Sequence, residues 1–165
     1  MRAVVLTLLM AWGCSEPVHE REVEELGPES PGVAEGPLHR AGQPCGTCHG
    51  ELGPARRAFS LSGTVYHAGS GDEPEPKLTV RVLDTKGAQL RLTTNDAGSF
   101  FLPADEYAPA YPLWIKLERG EQTVEMHSAI SRETSCAGCH GRVPTPDKVG
   151  QVYFEMPGTT AGGVP

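Results

Sequence analysis

A chain of 165 residues with 38% apolar and 6% aromatic positions suffices for one modest core with appendages and is too short for a complex enzyme. Its formal charge of −7, with no basic cluster beyond Arg56-Arg57, excludes a nucleic-acid partner, because a negative surface repels a phosphate backbone. Twenty glycines and fifteen prolines favour turns, loops and short strands over helices.

In chain order, Met1-Arg2 is a short positive start, Ala3 to Trp12 an apolar run too short to span a bilayer, and Gly13-Cys14 a small residue before a cysteine. Residues 1–13 thus resemble a bacterial lipoprotein signal peptide. That resemblance implies export, lipidation of Cys14, and a periplasmic or cell-surface protein anchored to a membrane. Ala11 and Trp12 depart from the usual pattern, so plain secretion is the other export route. Residues 14–38 carry seven glutamates, a single arginine and four prolines. Low hydrophobicity with like charge predicts a disordered, self-repelling tether.

The first motif follows within residues 39–58: Cys45-Gly-Thr-Cys48-His49. Its counterpart within residues 131–156 is Cys136-Ala-Gly-Cys139-His140. Both read C-x-x-C-H, the pattern of covalent haem c attachment. Two spacer residues let both thiols reach vinyl groups on one edge of a porphyrin, and the next position sets an imidazole under the iron. The cysteines are therefore candidate attachment sites, and His49 and His140 candidate proximal iron ligands. Two C-x-x-C pairs also suit zinc or disulfides. The 87 residues between the pairs exceed the ~15–20 of a common zinc ribbon, and a histidine after both pairs favours haem. Neither copy has helical periodicity, so each haem is expected in loops.

Residues 59–130 change character. Phe59 to Tyr66 alternates in polarity, as does Gln89 to Thr94, and Leu78, Val80 and Val82 share one face. Ser99-Phe-Phe-Leu102, Leu113 to Leu117 and Thr123 to Met126 add further short strands. Asp84-Thr-Lys-Gly87 and Asn95-Asp-Ala-Gly98 are turns whose glycines suit a positive φ. Six or seven short strands predict a mainly β chain, a single antiparallel sandwich able to bury a marginal core unaided. Val152-Tyr-Phe-Glu155 reads as an edge strand or a wall against haem, and residues 157–165 as a frayed tail.

The runs Leu61-Ser-Gly-Thr-Val-Tyr66, Val80-Arg-Val-Leu-Asp84, Thr93-Thr-Asn-Asp-Ala-Gly-Ser-Phe100 and Tyr111-Pro-Leu-Trp-Ile115 resemble the carboxypeptidase regulatory-like domain, a transthyretin-like sandwich. The resemblance covers some 65 to 70 residues. It implies a scaffold without catalysis. The flanking motifs depart from that family, and the whole resembles a multihaem c-type cytochrome lipoprotein.

Each iron has a sixth position to fill. His127, His39 and His67 are the candidates in that order. Met156 is an outside one, Met126 reads as core, and His19 is a fourth spare histidine left unranked. Filled positions suit electron transfer between redox partner proteins, and an open one suits a haem enzyme or sensor. No nucleophile-base arrangement or phosphate loop argues for catalysis. The competing class is a cell-surface binding or structural module whose cysteine pairs hold zinc or disulfides.

Overall fold

The computed structural model describes residues 16–67 and 71–154. Cys14, the signal segment and Met156 lie outside the described residues, and with them the expected lipid anchor. Among the described residues the elements run α1 (Pro17–Glu25), α2 (Cys45–His49), β1 (Phe59–His67), β2 (Thr79–Leu83), β3 (Gln89–Thr93), β4 (Ser99–Pro103), β5 (Trp114–Arg119), β6 (Gln122–Glu125), α3 (Cys136–Cys139) and β7 (Val152–Phe154).

The strands form two sheets, ordered β4-β1-β7 and β3-β2-β5-β6. The alternation read in the sequence decides which side chains lie between them: Leu61 and Val65 of β1, Val80 and Val82 of β2, Phe100 and Leu102 of β4, and Leu117 of β5. Leu78, Leu113 and Phe154 complete that core. The chain is therefore mainly β, with two layers over one core. Gly98 takes φ +69° and Gly87 φ +80°, as their turns require. At Gly98 close approach adds to this, since a Cβ there would stand 2.3 Å from the Val65 carbonyl oxygen.

Three features differ from expectation. First, the sandwich does not end at residue 130, because β7 pairs in parallel with β1 (Val65 with Val152, His67 with Phe154) and contributes the fully buried Phe154. The reading of Val152-Tyr-Phe as an edge strand holds, but a three-residue strand carries no period that would place it in this sheet. Second, the acidic segment is not coil throughout. Pro17 at the start of α1 has a backbone preset for helix. The far end is fastened from outside: Arg40 Nη1 donates to the Gly27 carbonyl at 3.0 Å and Gln43 Nε2 to that of Leu26 at 3.1 Å. Asn95 Nδ2 further ties the Pro37 carbonyl to the sheet at 2.9 Å. Third, each C-x-x-C forms a single helical turn. One turn needs no apolar repeat, which is why periodicity was silent there.

Unlike an alternating half-buried strand, β1 is buried on both faces from Ser60 to Tyr66. Its inner face meets the core. Its outer face and open edge receive the two motif segments, and this arrangement builds the site.

Candidate haem-attachment site

The motifs, far apart in sequence, converge on β1. The Gly42 N–H donates to Thr64 Oγ1 at 2.9 Å, and the Ser62 N–H donates to the Thr134 carbonyl at 2.8 Å. Ser135 bridges Ser62 in parallel, continuing the edge that β7 occupies higher up. Gly46 lies against this second segment, its Cβ direction 3.1 Å from Thr134 Oγ1.

Gly63 is where the second motif enters. A Cβ there would stand 2.6 Å from Cys136 Sγ and 2.8 Å from the Phe100 ring, so only glycine leaves room for that thiol. Cys136 accordingly packs against the core. Burial pushes its thiol up to about 12, and the neighbouring Cys45 adds to the rise. Burial also raises the Cys45 thiol, against a hydrogen bond with the Ser62 side chain. The first cysteine of each motif therefore faces β1; Cys45, Cys48 and Cys136 are half-buried, and Cys139 is exposed. All four thiols are free, and among the described residues no three His, Cys, Asp or Glu side chains converge as a metal-binding group.

The imidazoles are oriented by backbone carbonyls. His49 Nδ1 donates to the Arg57 carbonyl at 2.7 Å, and His140 Nδ1 to that of Gly150 at 2.9 Å. A proton held at Nδ1 leaves the lone pair at Nε2, the arrangement metal-ligating histidines adopt. His49 also stacks on Phe59, with ring centres 4.0 Å apart, and Phe59 on Phe101 at 4.8 Å. A bulge in β1 makes this column possible. Phe59 opposes Pro103 and Leu61 opposes Leu102, so the extra residue Ser60 turns Phe59 away from the face of Leu61. The sequence reading missed Phe59 and Phe101 as site residues, although two adjacent phenylalanines in one strand require one to face outward.

Near His49 stands His39. Their ring centres are 6.2 Å apart and the rings are inclined by 51°. His39 Nδ1 donates to the Gly36 carbonyl, so its Nε2 also keeps a lone pair. The two imidazoles of the first motif segment thus lie close together, each with its Nδ1 bound to a backbone carbonyl.

The other expected ligands lie elsewhere. His67 Nδ1 meets Glu75 Oε2 at 2.8 Å. Burial alone would raise that carboxyl, but hydrogen bonds from His67 and Arg119 outweigh it and hold Glu75 below its ordinary value. His127 is exposed just past β6, the edge of the opposite sheet. Met126 is half-buried there, its N–H donating to the Ile115 carbonyl at 3.1 Å. His19, left unranked among the spare histidines, has its Nε2 cut off from solvent without a hydrogen-bond partner. Such an orphan costs about 1–3 kcal/mol.

No protein-family model, curated protein or solved structure matches this chain. The functional reading accordingly rests on the motifs and their geometry.

Proposed function

We propose that the protein is an exported two-haem c-type cytochrome that passes electrons between redox partner proteins and has no catalytic role of its own. In this reading Cys45 and Cys48, and Cys136 and Cys139, carry the thioethers, His49 and His140 are the proximal ligands, and His39 is the sixth ligand of the first haem. The observation that carries it is the pairing of His39 with His49 at 6.2 Å, both with Nδ1 bound to a carbonyl. When bound, haem iron supplies a one-electron couple. The chain's part would be to hold the His39 and His49 imidazoles for the iron, with His49 braced by Phe59 and the Arg57 carbonyl. With both imidazoles bound, such a centre would favour electron transfer over ligand chemistry. The β layers act as a carboxypeptidase regulatory-like scaffold that brackets the two motifs, and lipidated Cys14 tethers the whole to a membrane.

The test is maturation in a host competent for cytochrome c assembly. The purified, denatured protein is expected to keep its colour and to exceed the mass of the processed polypeptide by two haems. A colourless product would defeat the proposal. The adjacency of Cys45 and Cys136 favours a second reading, in which the thiols pair or bind zinc within a structural module; a mass lower by two hydrogens per bridge, or a stoichiometric zinc content, would select it.

A further inference from the structure

We propose that the groove between α1 and the two motif turns is a site for a divalent metal ion of the zinc type, held by His19 and glutamate carboxylates. Among the described residues, two side-chain polar atoms are cut off from solvent without a hydrogen-bond partner, His19 Nε2 and Ser135 Oγ. They belong to segments far apart in sequence, yet both residues line this one groove of about 530 Å³. Ser135 is only 2% exposed. Buried polar atoms of folded proteins are nearly always satisfied, so two orphans at one place signal a missing partner.

The charge of the groove identifies the partner. Glu22 and Glu25 of α1 and Glu133 before α3 line it, against Lys148, whose Nζ is engaged by the Ala137 carbonyl at 3.3 Å. An imidazole nitrogen among carboxylates is a donor set for zinc and its neighbours, and the same carboxylates would repel an anion. An ion bonded at about 2.0–2.1 Å also comes closer to a nitrogen than a water hydrogen-bonded at about 2.9 Å, which matters at an atom that solvent does not touch. His19 and Glu22 lie three positions apart on one helix face, with Glu22 Oε2 3.6 Å from His19 Nδ1, beyond hydrogen-bond reach. Glu133 lies over Gly138, where a Cβ would stand 2.6 Å from its Oε2. Its Oε1 accepts from the Ser135 N–H at 2.9 Å, which leaves Oε2 for an ion. Ser135 Oγ would hydrogen-bond a ligating carboxylate or an ion-bound water. Among the described residues no three such donors already surround one point, so binding draws the exposed Glu22 and Glu25 side chains inward. Little packing opposes that adjustment, because α1 buries no residue, and the ion would fasten the helix to the motif segments. No motif cysteine or histidine takes part, so the site is independent of the two-haem reading.

The experiment measures zinc in the full chain purified from the maturation-competent host, after equilibration with zinc and removal of the unbound metal. The unaltered protein is compared with His19→Ala, Glu22→Gln and His127→Ala. Zinc held by any free motif thiols is common to all four and cancels in the differences. His127→Ala should match the unaltered chain, His19→Ala should hold one zinc fewer per chain, and Glu22→Gln should need more zinc for the same occupancy. The component lost in His19→Ala should show, by zinc X-ray absorption, nitrogen and oxygen neighbours at about 2.0–2.1 Å and no sulfur at about 2.3 Å. Zinc should also slow amide exchange in Pro17–Glu25 of the unaltered chain and not of His19→Ala. Equal zinc in the unaltered and His19→Ala chains would overturn the proposal, as would a lost component dominated by sulfur. Exchange in α1 that His19→Ala speeds equally with and without zinc would assign His19 to packing and overturn it likewise. A colourless chain that still loses one zinc with His19→Ala would uphold this site while defeating the two-haem reading.

Discussion

Gly63 concentrates the conflict between a packed sheet and a cysteine that must reach it. Adding one methyl group forces Cys136 Sγ or the Phe100 ring to move, and neither is the free end of a long side chain. Gly63→Ala is expected to lower the unfolding free energy by about 1–3 kcal/mol, measured in denaturant, as overpacked cores do. Cys136 makes a pH prediction for the haem-free chain. Its folded value is about 12, and an unfolded thiol ionises near about 8.5. Between those values the unfolded state binds fewer protons than the folded state, so stability is complete below about pH 8.5 and falls as pH rises toward 12. Burial also puts Tyr111 at about 12, which steepens the fall above about pH 10. Denaturant midpoints between pH 7 and 10.5 should decline, and Cys136→Ala should flatten the decline. An unchanged slope in that variant would put the titration elsewhere.

At the scale of elements, Asp84 and β7 hold pieces together that the strand pattern leaves separate. Asp84, 3% exposed, accepts from the N–H groups of Lys86 and Ala88 in its own turn, each at 2.9 Å. It also accepts from Tyr107 Oη at 2.7 Å and the Ala110 N–H at 3.1 Å, fastening the turn to the loop before β5. The Tyr107 hydroxyl first, and then the amides, hold this carboxyl below its ordinary value against the effect of burial. Its contribution is therefore present above the unfolded value of about 3.9 and is lost as pH falls through the folded one. Asp84→Asn should unfold at lower temperature at pH 7 and match the parent more closely near pH 3, by calorimetry. β7 adds its weight through Phe154, which is fully buried and has Arg119 over its ring at 5.5 Å. Phe154→Ala is expected to cost about 3–5 kcal/mol. A fragment of residues 59–130 should fail to unfold cooperatively, because it lacks that strand.

For the whole molecule, the sheets are a bracket that carries two motifs to one strand. The segments they carry are held differently from the bracket itself. The strands are tied by ladders around a shared core, whereas α1 buries no residue and is secured at one end by the Arg40 and Gln43 side chains. In protein made without haem, amide exchange should be slowest in β1, β2, β4 and β5 and fastest in residues 16–58. Equal protection in both regions would mean that the motif segments are part of the cooperative core.

Local chemistry was legible before any fold was known. The two C-x-x-C-H motifs are contiguous, the strands announce themselves by a two-residue period, and Gly87 and Gly98 mark turns because other residues resist a positive φ. What the tertiary structure alone decided is non-local. Residues 45 and 136 become neighbours because both segments lie along β1, and no spacing rule encodes that return. His39 stood second of three ranked candidates, and only a turn closed by its N–H on the Gly36 carbonyl brings its ring to His49. His19 stood unranked because a histidine among glutamates looks solvated, and its burial follows from the folding of α1, whose end Arg40 and Gln43 fasten. β7 escaped for the same reason: three residues carry no period, and their place in the sheet is set by the strand they pair with, some 87 positions earlier.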